Sequence, residues 1–222
     1  IHIGGATSTT TISALTTTNS TSTTTIQPTG SCLASSTKVQ IFNGNFSTGT
    51  FVGWNASGSG FGSVPVNIVY ANSPNVSGYY NHTWTGYNGD FFASTYHGGF
   101  GIQPGNLTSL PFQVTEPYLN FRIISPDYQL IYVQVVKAGT NVPLITTHYN
   151  TWIAGNPYPT SQFLNASMPL SVAICQNVSI KVVAQALGGY INSRNYIAIG
   201  DFYLSKVPIA TPGIIVNQTI SG

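Results

Sequence analysis

The stretch "VSIKVVA", residues 178–184, places Val178, Ile180, Val182 and Ala184 on one side of an extended chain and Ser179, Lys181 and Val183 on the other. Side chains alternate sides only in a strand, so this run reads as β with one face buried. Similar short apolar or alternating runs follow one another from about Val39: "KVQIF", "VPVNIVY", "DFFASTY", "YLNFRII", "QLIYVQVV", "VPLITTHY", "LSVAIC" and "YIAIGDFYL". Clusters of Gly, Pro and Asn separate them, as turns require. Helix formers are scarce, and β-branched and aromatic residues are plentiful. The expectation is an all-β chain, a jelly-roll-like β-sandwich. The last segment, "PGIIVNQTISG" (residues 212–222), also alternates. Such a strand would complete the sheet or lie beside a strand from outside.

Residues 7–28, "TSTTTISALTTTNSTSTTTIQP", are unlike the rest: 15 of these 22 are Ser or Thr. Thr favours extended backbone, but a polar strand alone has too little to bury to offset its chain entropy. The segment is therefore a linker, a sugar-coated stalk or a strand whose partner lies elsewhere. The chain divides into a tail, 1–30, and a sandwich head, 31–222.

Only 10 of the 222 residues are Lys, Arg, Asp or Glu, 5% against about 25% in an average domain. A net charge of +2 with scattered basic residues gives no footprint for nucleic acid. No apolar run reaches the roughly 20 residues of a membrane helix, and no stretch resembles a signal peptide. The start at Ile1 suggests a processed form, and the lack of an apolar N-terminal helix argues against a type IV pilin. A chain with so few titratable groups barely changes charge with pH, which suits an acidic exterior.

Nine positions match Asn-x-Ser/Thr: Asn19, Asn45, Asn55, Asn75, Asn81, Asn106, Asn165, Asn177 and Asn217. The pattern marks acceptor sites for N-glycans on an exported surface, and covalent glycans are the only non-protein groups expected. Cys32 and Cys175 are the only cysteines. In an exported chain they read as one disulfide; the alternative is two buried thiols. A bond closing so long a loop would contribute about 4–5 kcal/mol in the chain-entropy model.

Two resemblances add to this reading. "FNGNFSTGTFVGW" (residues 42–54) resembles the opening of galactose-binding-like jelly-roll domains. "YNGDFFASTYHGGFGIQPGNLTSLPFQV" with "YLNFRI" resembles their middle, and "YIAIGDFYL" their closing strand. This implies a jelly roll over residues 40–205, not sugar binding as such. Many such domains hold a structural calcium through carboxylates and carbonyls; this chain offers only Asp90, Glu116, Asp127 and Asp201. The whole layout (Thr-rich tail, low-charge β head, many sequons, one Cys pair) resembles the subunit of the thread filaments of Sulfolobales archaea. The resemblance implies an extracellular, cell-surface, pilus-like filament whose identical subunits join by donor strand complementation.

A donated strand must be extended, free of Pro and apolar at alternate positions. Residues 1–27 contain no Pro. Ile1, Ile3, Thr9 and Thr11 share odd parity; Ile12 and Ala14 follow two apart, and Leu15 marks a bulge or the end of insertion. Fifteen extended residues span about 50 Å. Head-to-tail joining is a heterologous contact and grows an open filament. The competing view of the tail is a glycosylated stalk.

Enzyme chemistry finds little support. The four carboxylates fall in separate runs, and His2, His82, His97 and His148 lack metal-ligand spacing. "GSGFGS" lacks the Lys of a phosphate loop. The rival function is a carbohydrate-binding, lectin-like module, with Trp54, Trp84, Trp152 and several Tyr stacking on sugar rings; for each Trp the alternative is core packing. The expected role is structural and non-enzymatic: adhesion or cell-to-cell contact, with a surface or a glycan as the outside ligand.

Overall fold

The computed structural model describes residues 32, 38–72, 84–96, 104–125, 131–151, 162–185, 196–209 and 215–221. In chain order the first elements are β1 (Lys38–Gln40), β2 (Trp54–Gly58), β3 (Val66–Asn67), α1 (Ile68–Ala71), β4 (Phe91–Ser94), β5 (Gly105–Ser109) and β6 (Phe112–Gln113). Then come β7 (Tyr118–Ile124), β8 (Ile131–Lys137), β9 (Pro143–Asn150), β10 (Leu164–Pro169), β11 (Asn177–Ala184), β12 (Ala198–Ser205) and β13 (Ile215–Ile220). Two antiparallel sheets form a sandwich. One has the order β10-β7-β12-β4-β3, with β1 also on β12; the other has β13-β9-β8-β11-β5-β2, with β6 also on β11. The all-β sandwich expected from the period of two is what the chain forms.

The opening stretch behaves as read. Val178, Ile180 and Val182 are fully buried between the sheets, while Lys181 stands on the outer face. Two other runs differ from expectation. "LSVAIC" is not a strand; it contains a 3₁₀ turn, Ser171–Ala173, closed by Ala173 N–H to the Leu170 carbonyl. Leu170 and Ala173 are fully buried while Val172 is 42% exposed, the three-residue spacing of a 3₁₀ turn, which here links β10 of one sheet to β11 of the other. "VPVNIVY" is strand only at Val66–Asn67. There the Asn67 side chain accepts from the N–H groups of Val69 and Tyr70 and caps a helical turn. The terminal run completes a sheet: β13 pairs antiparallel with β9, Ile220 opposite Ile145 and Val216 opposite Tyr149.

An aromatic chain crosses the core. Ring centroids lie 5.7 Å apart for Phe51–Phe46, 5.3 Å for Phe46–Trp54, 5.1 Å for Trp54–Phe202, 5.3 Å for Phe202–Phe121 and 5.2 Å for Phe121–Tyr149. Each pair is tilted or edge-on, as ring quadrupoles favour. The 42–54 stretch supplies three of the six rings, and its backbone is bent to present them. Asn43 and Phe46 adopt positive φ, and the Trp54 indole N–H donates to the Asn43 carbonyl. Gly44 lies so close to β12 that a Cβ there would meet the Phe202 carbonyl at 2.5 Å. Only glycine permits that approach.

The two outer faces differ. A second cluster covers part of the sheet that contains β7: Trp84, Phe92, Tyr96, Phe163 and Tyr196 lie over Ile124 and Ala198. Further along that face, Asn120 is fully buried and straps down the chain after β12. Its amide donates to Ser205 Oγ (2.6 Å) and the Val207 carbonyl (3.1 Å), and its Oδ1 accepts from Ser167 Oγ (2.5 Å). Ser167 Oγ accepts in turn from the Ile209 N–H. The other sheet carries Tyr132, Gln134, Thr146, His148, Lys181, Asn106 and Thr108 outward, all partly exposed.

Cys32 and Cys175 form a disulfide that closes a separation of 143 residues. Cys175 sits just before β11, and its N–H donates to the Val114 carbonyl. The tail therefore leaves the head where the 3₁₀ turn bridges the sheets.

Two stability measurements follow. Asn120→Ala removes three bonds and leaves buried hydroxyls short of partners, a loss of about 2–4 kcal/mol, read as a lower urea midpoint with little change in slope. Replacing both cysteines with Ser lowers stability by up to about 5 kcal/mol, read as a lower melting temperature under non-reducing conditions, with the far-ultraviolet β signal retained at low temperature.

Candidate functional site

Strand counts give the first feature. β1 and β4 share one flank of β12, so the six strands of one sheet fill five places. β5 and β6 share one flank of β11, so the seven strands of the other fill six. Among the described residues the smaller sheet thus has one place fewer than the larger, and β10 is one of its edge strands. The Tyr149 hydroxyl of β9 reaches the Ser167 carbonyl of β10 (3.3 Å). β10 is thus opposite β9, and β13 extends past it. Residues paired across a ladder share a face, so Ile220 belongs to the core-side row with Ile145. Yet Ile145 is fully buried and Ile220 is 55% exposed. The core-side row of β13 is uncovered at that point, and among the described residues β10 pairs only with β7.

The Tyr149 ring is fully buried at this border, and burial pushes its hydroxyl well above the usual tyrosine range. It remains a neutral hydrogen-bond donor at any ordinary pH, which suits its role of satisfying a carbonyl at an open edge.

The sequons are the second feature. Asn45, Asn55 and Asn177 are exposed, and Asn106 and Asn165 are partly exposed. Asn45 Oδ1 accepts the Ser47 N–H in an Asx turn. Asn55 and Asn106 lie on adjacent strands, β2 and β5, with Asn55 opposite Thr108 and Ser57 opposite Asn106. Each acceptor Asn thus faces the hydroxyl residue of the other sequon, and Asn106 Nδ2 donates to Ser57 Oγ (3.4 Å). Asn177 begins β11 on the same outer face, and the backbone of Asn217 pairs opposite His148. Asn165 belongs to the other sheet, opposite Arg122. Sequence reasoning did not foresee that Asn55 and Asn106 adjoin, because "GNLTS" hides between glycines and prolines and did not read as a strand.

The expected donor residues Ile1, Ile3, Thr9, Thr11, Ile12, Ala14 and Leu15 lie outside the described residues, as do Asn19, Asn75, Asn81, His2, His82, His97, Asp127 and Trp152. Trp54 and Trp84 are buried, at 6% and 2% exposure, one in each cluster. They pack the interior and offer no face to a sugar.

The carboxylates occupy separate places. Glu116 is buried just before β7, Asp90 is exposed ahead of β4, and Asp201 lies 3.6 Å from Arg122 Nε. Asp201 has positive φ at a bulge in β12. Arg122 also donates to the Gly86 carbonyl, and a Cβ at neighbouring Gly200 would overlap the Tyr87 hydroxyl. The pair therefore fastens the 84–92 segment to its sheet, and desolvation, then the nearby Asp201 charge, pushes the Tyr87 hydroxyl up. No three His, Cys, Asp or Glu side chains converge among the described residues. In the 42–54 loop the carbonyls of Thr50 and Val52 converge on the Asn43 amide nitrogen (2.9 Å each), not on a carboxylate. The donor set there does not fit a calcium ion, which needs six or more oxygens. Among the described residues no helix is long and apolar enough to cross a membrane.

No family model and no curated protein sequence matches the chain. Among solved structures it is similar to the K1 cleaved adhesin domain of Lys-gingipain from Porphyromonas gingivalis W83: 14% identity, 73% of this chain, 96% of that chain, TM-score 0.46. The K3 cleaved adhesin domain of the same protein gives 11%, 75%, 99% and 0.45. The C-terminal extracellular domain of Mycobacterium tuberculosis EmbC gives 15%, 64%, 51% and 0.37.

Proposed function

We propose that the chain is the structural subunit of an extracellular filament, assembled head to tail by donor strand complementation and serving adhesion or cell-to-cell contact. The observation that supports this reading is the edge of β10, which among the described residues pairs only with β7, opposite the exposed Ile220 of β13. A segment from another copy, residues 1–15, adds a strand there. Its main chain pairs with the open edge of β10, and its alternate apolar side chains cover Ile220 and the half-buried Leu164. Fully burying an Ile contributes about 1.5–3 kcal/mol, so three such residues outweigh much of the ordering cost. The added strand also covers an edge that would otherwise invite unspecific pairing.

The disulfide fixes where the tail starts. It holds Cys32 to Cys175, six residues beyond the end of β10, so each head presents its tail near the end of its own open edge. A tail that enters a neighbour propagates the contact without closing it.

Gel filtration and electron microscopy of the full chain and of a chain lacking residues 1–25 test the proposal. The full chain forms filaments and the shortened one stays a folded monomer. Ile3→Asp and Ile12→Asp weaken polymerisation and leave the head's melting temperature unchanged. Filaments that persist without residues 1–25, or a full-length monomer whose tail occupies its own edge, would overturn it.

A further inference from the structure

The open face of the larger sheet has a groove of about 480 Å³ at the end where β5, β8 and β11 meet. That volume is in the range of small-molecule sites. One row of the ladder builds it. Tyr132, Val183, Asn106 and Ser57 stand side by side on β8, β11, β5 and β2. Strands are about 4.8 Å apart, so Tyr132 and Asn106 are separated by about 10 Å, with Val183 between them. Val183 is 6% exposed on a face that is otherwise polar: an apolar floor between an aromatic wall and an amide wall. One side of Tyr132 is against His148 (centroids 5.2 Å), and the other is toward the groove. The Tyr132 hydroxyl accepts from Gln185 Nε2 (3.0 Å), and Lys181 lines the next row.

Asn106 is the acceptor of the sequon Asn106-Leu107-Thr108. A pyranose has an apolar C–H face and a rim of hydroxyls, and this groove has an apolar floor, an aromatic wall and a polar rim. We propose that the groove is an intramolecular seat for the first sugars of a glycan carried on Asn106. The sugar's C–H face lies over Tyr132 and Val183, and its hydroxyls meet Lys181 and Gln185. Attachment at Asn106 holds the sugar within reach, so a weak site suffices: tethering raises the local concentration without any new contact. The seat needs only a single head, so it stands or falls independently of filament formation.

The test uses the full chain made in an N-glycosylating host with carbon-13-labelled sugar. Glycopeptide mass spectrometry reads occupancy at Asn106. Thr108→Val removes that glycan and identifies its resonances. The ring protons of the sugar on Asn106 are shifted upfield by the Tyr132 ring current. The shift is retained in Tyr132→Phe and lost in Tyr132→Ser. Val183→Met, which raises the floor without touching Tyr132, reduces it, so the proposal stays testable if Tyr132→Ser folds poorly. A bare Asn106 in an otherwise glycosylated chain, solvent-like shifts for its sugar, or shifts unchanged in both Tyr132→Ser and Val183→Met would overturn the proposal.

Discussion

The contact between Trp54 and Phe202 is the constraint that the rest of the sandwich obeys. It joins the 42–54 loop to β12 and, through Phe121, to Tyr149 on the far sheet. Ten charged residues in 222 cannot organise a fold by ion pairs, and among the described residues a single Arg–Asp pair is recorded. Stiff rings that meet tilted or edge-on do that work here. They bury large area at low rotamer cost, and they explain the contorted backbone of the loop. Asn43 and Phe46 hold positive φ because the ring positions demand it, and the hydrogen bonds of Asn43 stabilise the bend. The same chain of rings ends at the Tyr149 hydroxyl, which donates to β10, an edge strand of the smaller sheet among the described residues. Core and edge are thus linked by one row of side chains.

The sequence revealed the fold where one side of a strand is wet and the other dry. In residues 178–184 the alternation survives at Lys181, the one partly exposed residue of its outer face, while Ser179 and Val183 are themselves 6% exposed. It also survives in β8 and β9, where Tyr132, Gln134, Thr146 and His148 interleave with buried Val133, Val135, Ile145 and Thr147. The signal failed where a local turn overrode it. "LSVAIC" alternates in sequence, yet a 3₁₀ turn buries Leu170 and Ala173 and leaves Val172 exposed, and α1 follows a β-like run because Asn67 caps it. β5 escaped notice because its glycine and flanking prolines read as a turn. The cysteine pair was legible from composition alone. The difference between the sheets, five places against six among the described residues, was not, since no single strand marks what lies beside it; it emerges only when both sheets are counted.

The two outer faces then take different roles. One is covered by the Trp84 cluster and by the chain strapped to Asn120. The other is polar, and the sequons of Asn55, Asn106 and Asn177 open onto it. Were these sequons to carry glycans, that face could not press flat against another subunit. In the proposed filament the joint therefore falls at the sandwich's edge, and the sequon-bearing sheet is left to the surroundings. On that face hydroxyls and amides stand where Lys and Glu stand on ordinary surfaces.

Low charge also restricts how subunits could recognise one another. Electrostatic steering and complementary ion pairs need charges to place, and this chain has almost none to spare. Main-chain hydrogen bonds do not depend on side-chain charge, and their register is set by which residues fit the covered row. A strand inserted beside β10 would draw its affinity from a ladder that any extended segment can form, and its specificity from the spacing of a few apolar side chains against Ile220 and Leu164. The main-chain ladder of such a joint would not titrate; within residues 1–15 His2 is the one side chain that would change charge between strongly acidic and neutral pH.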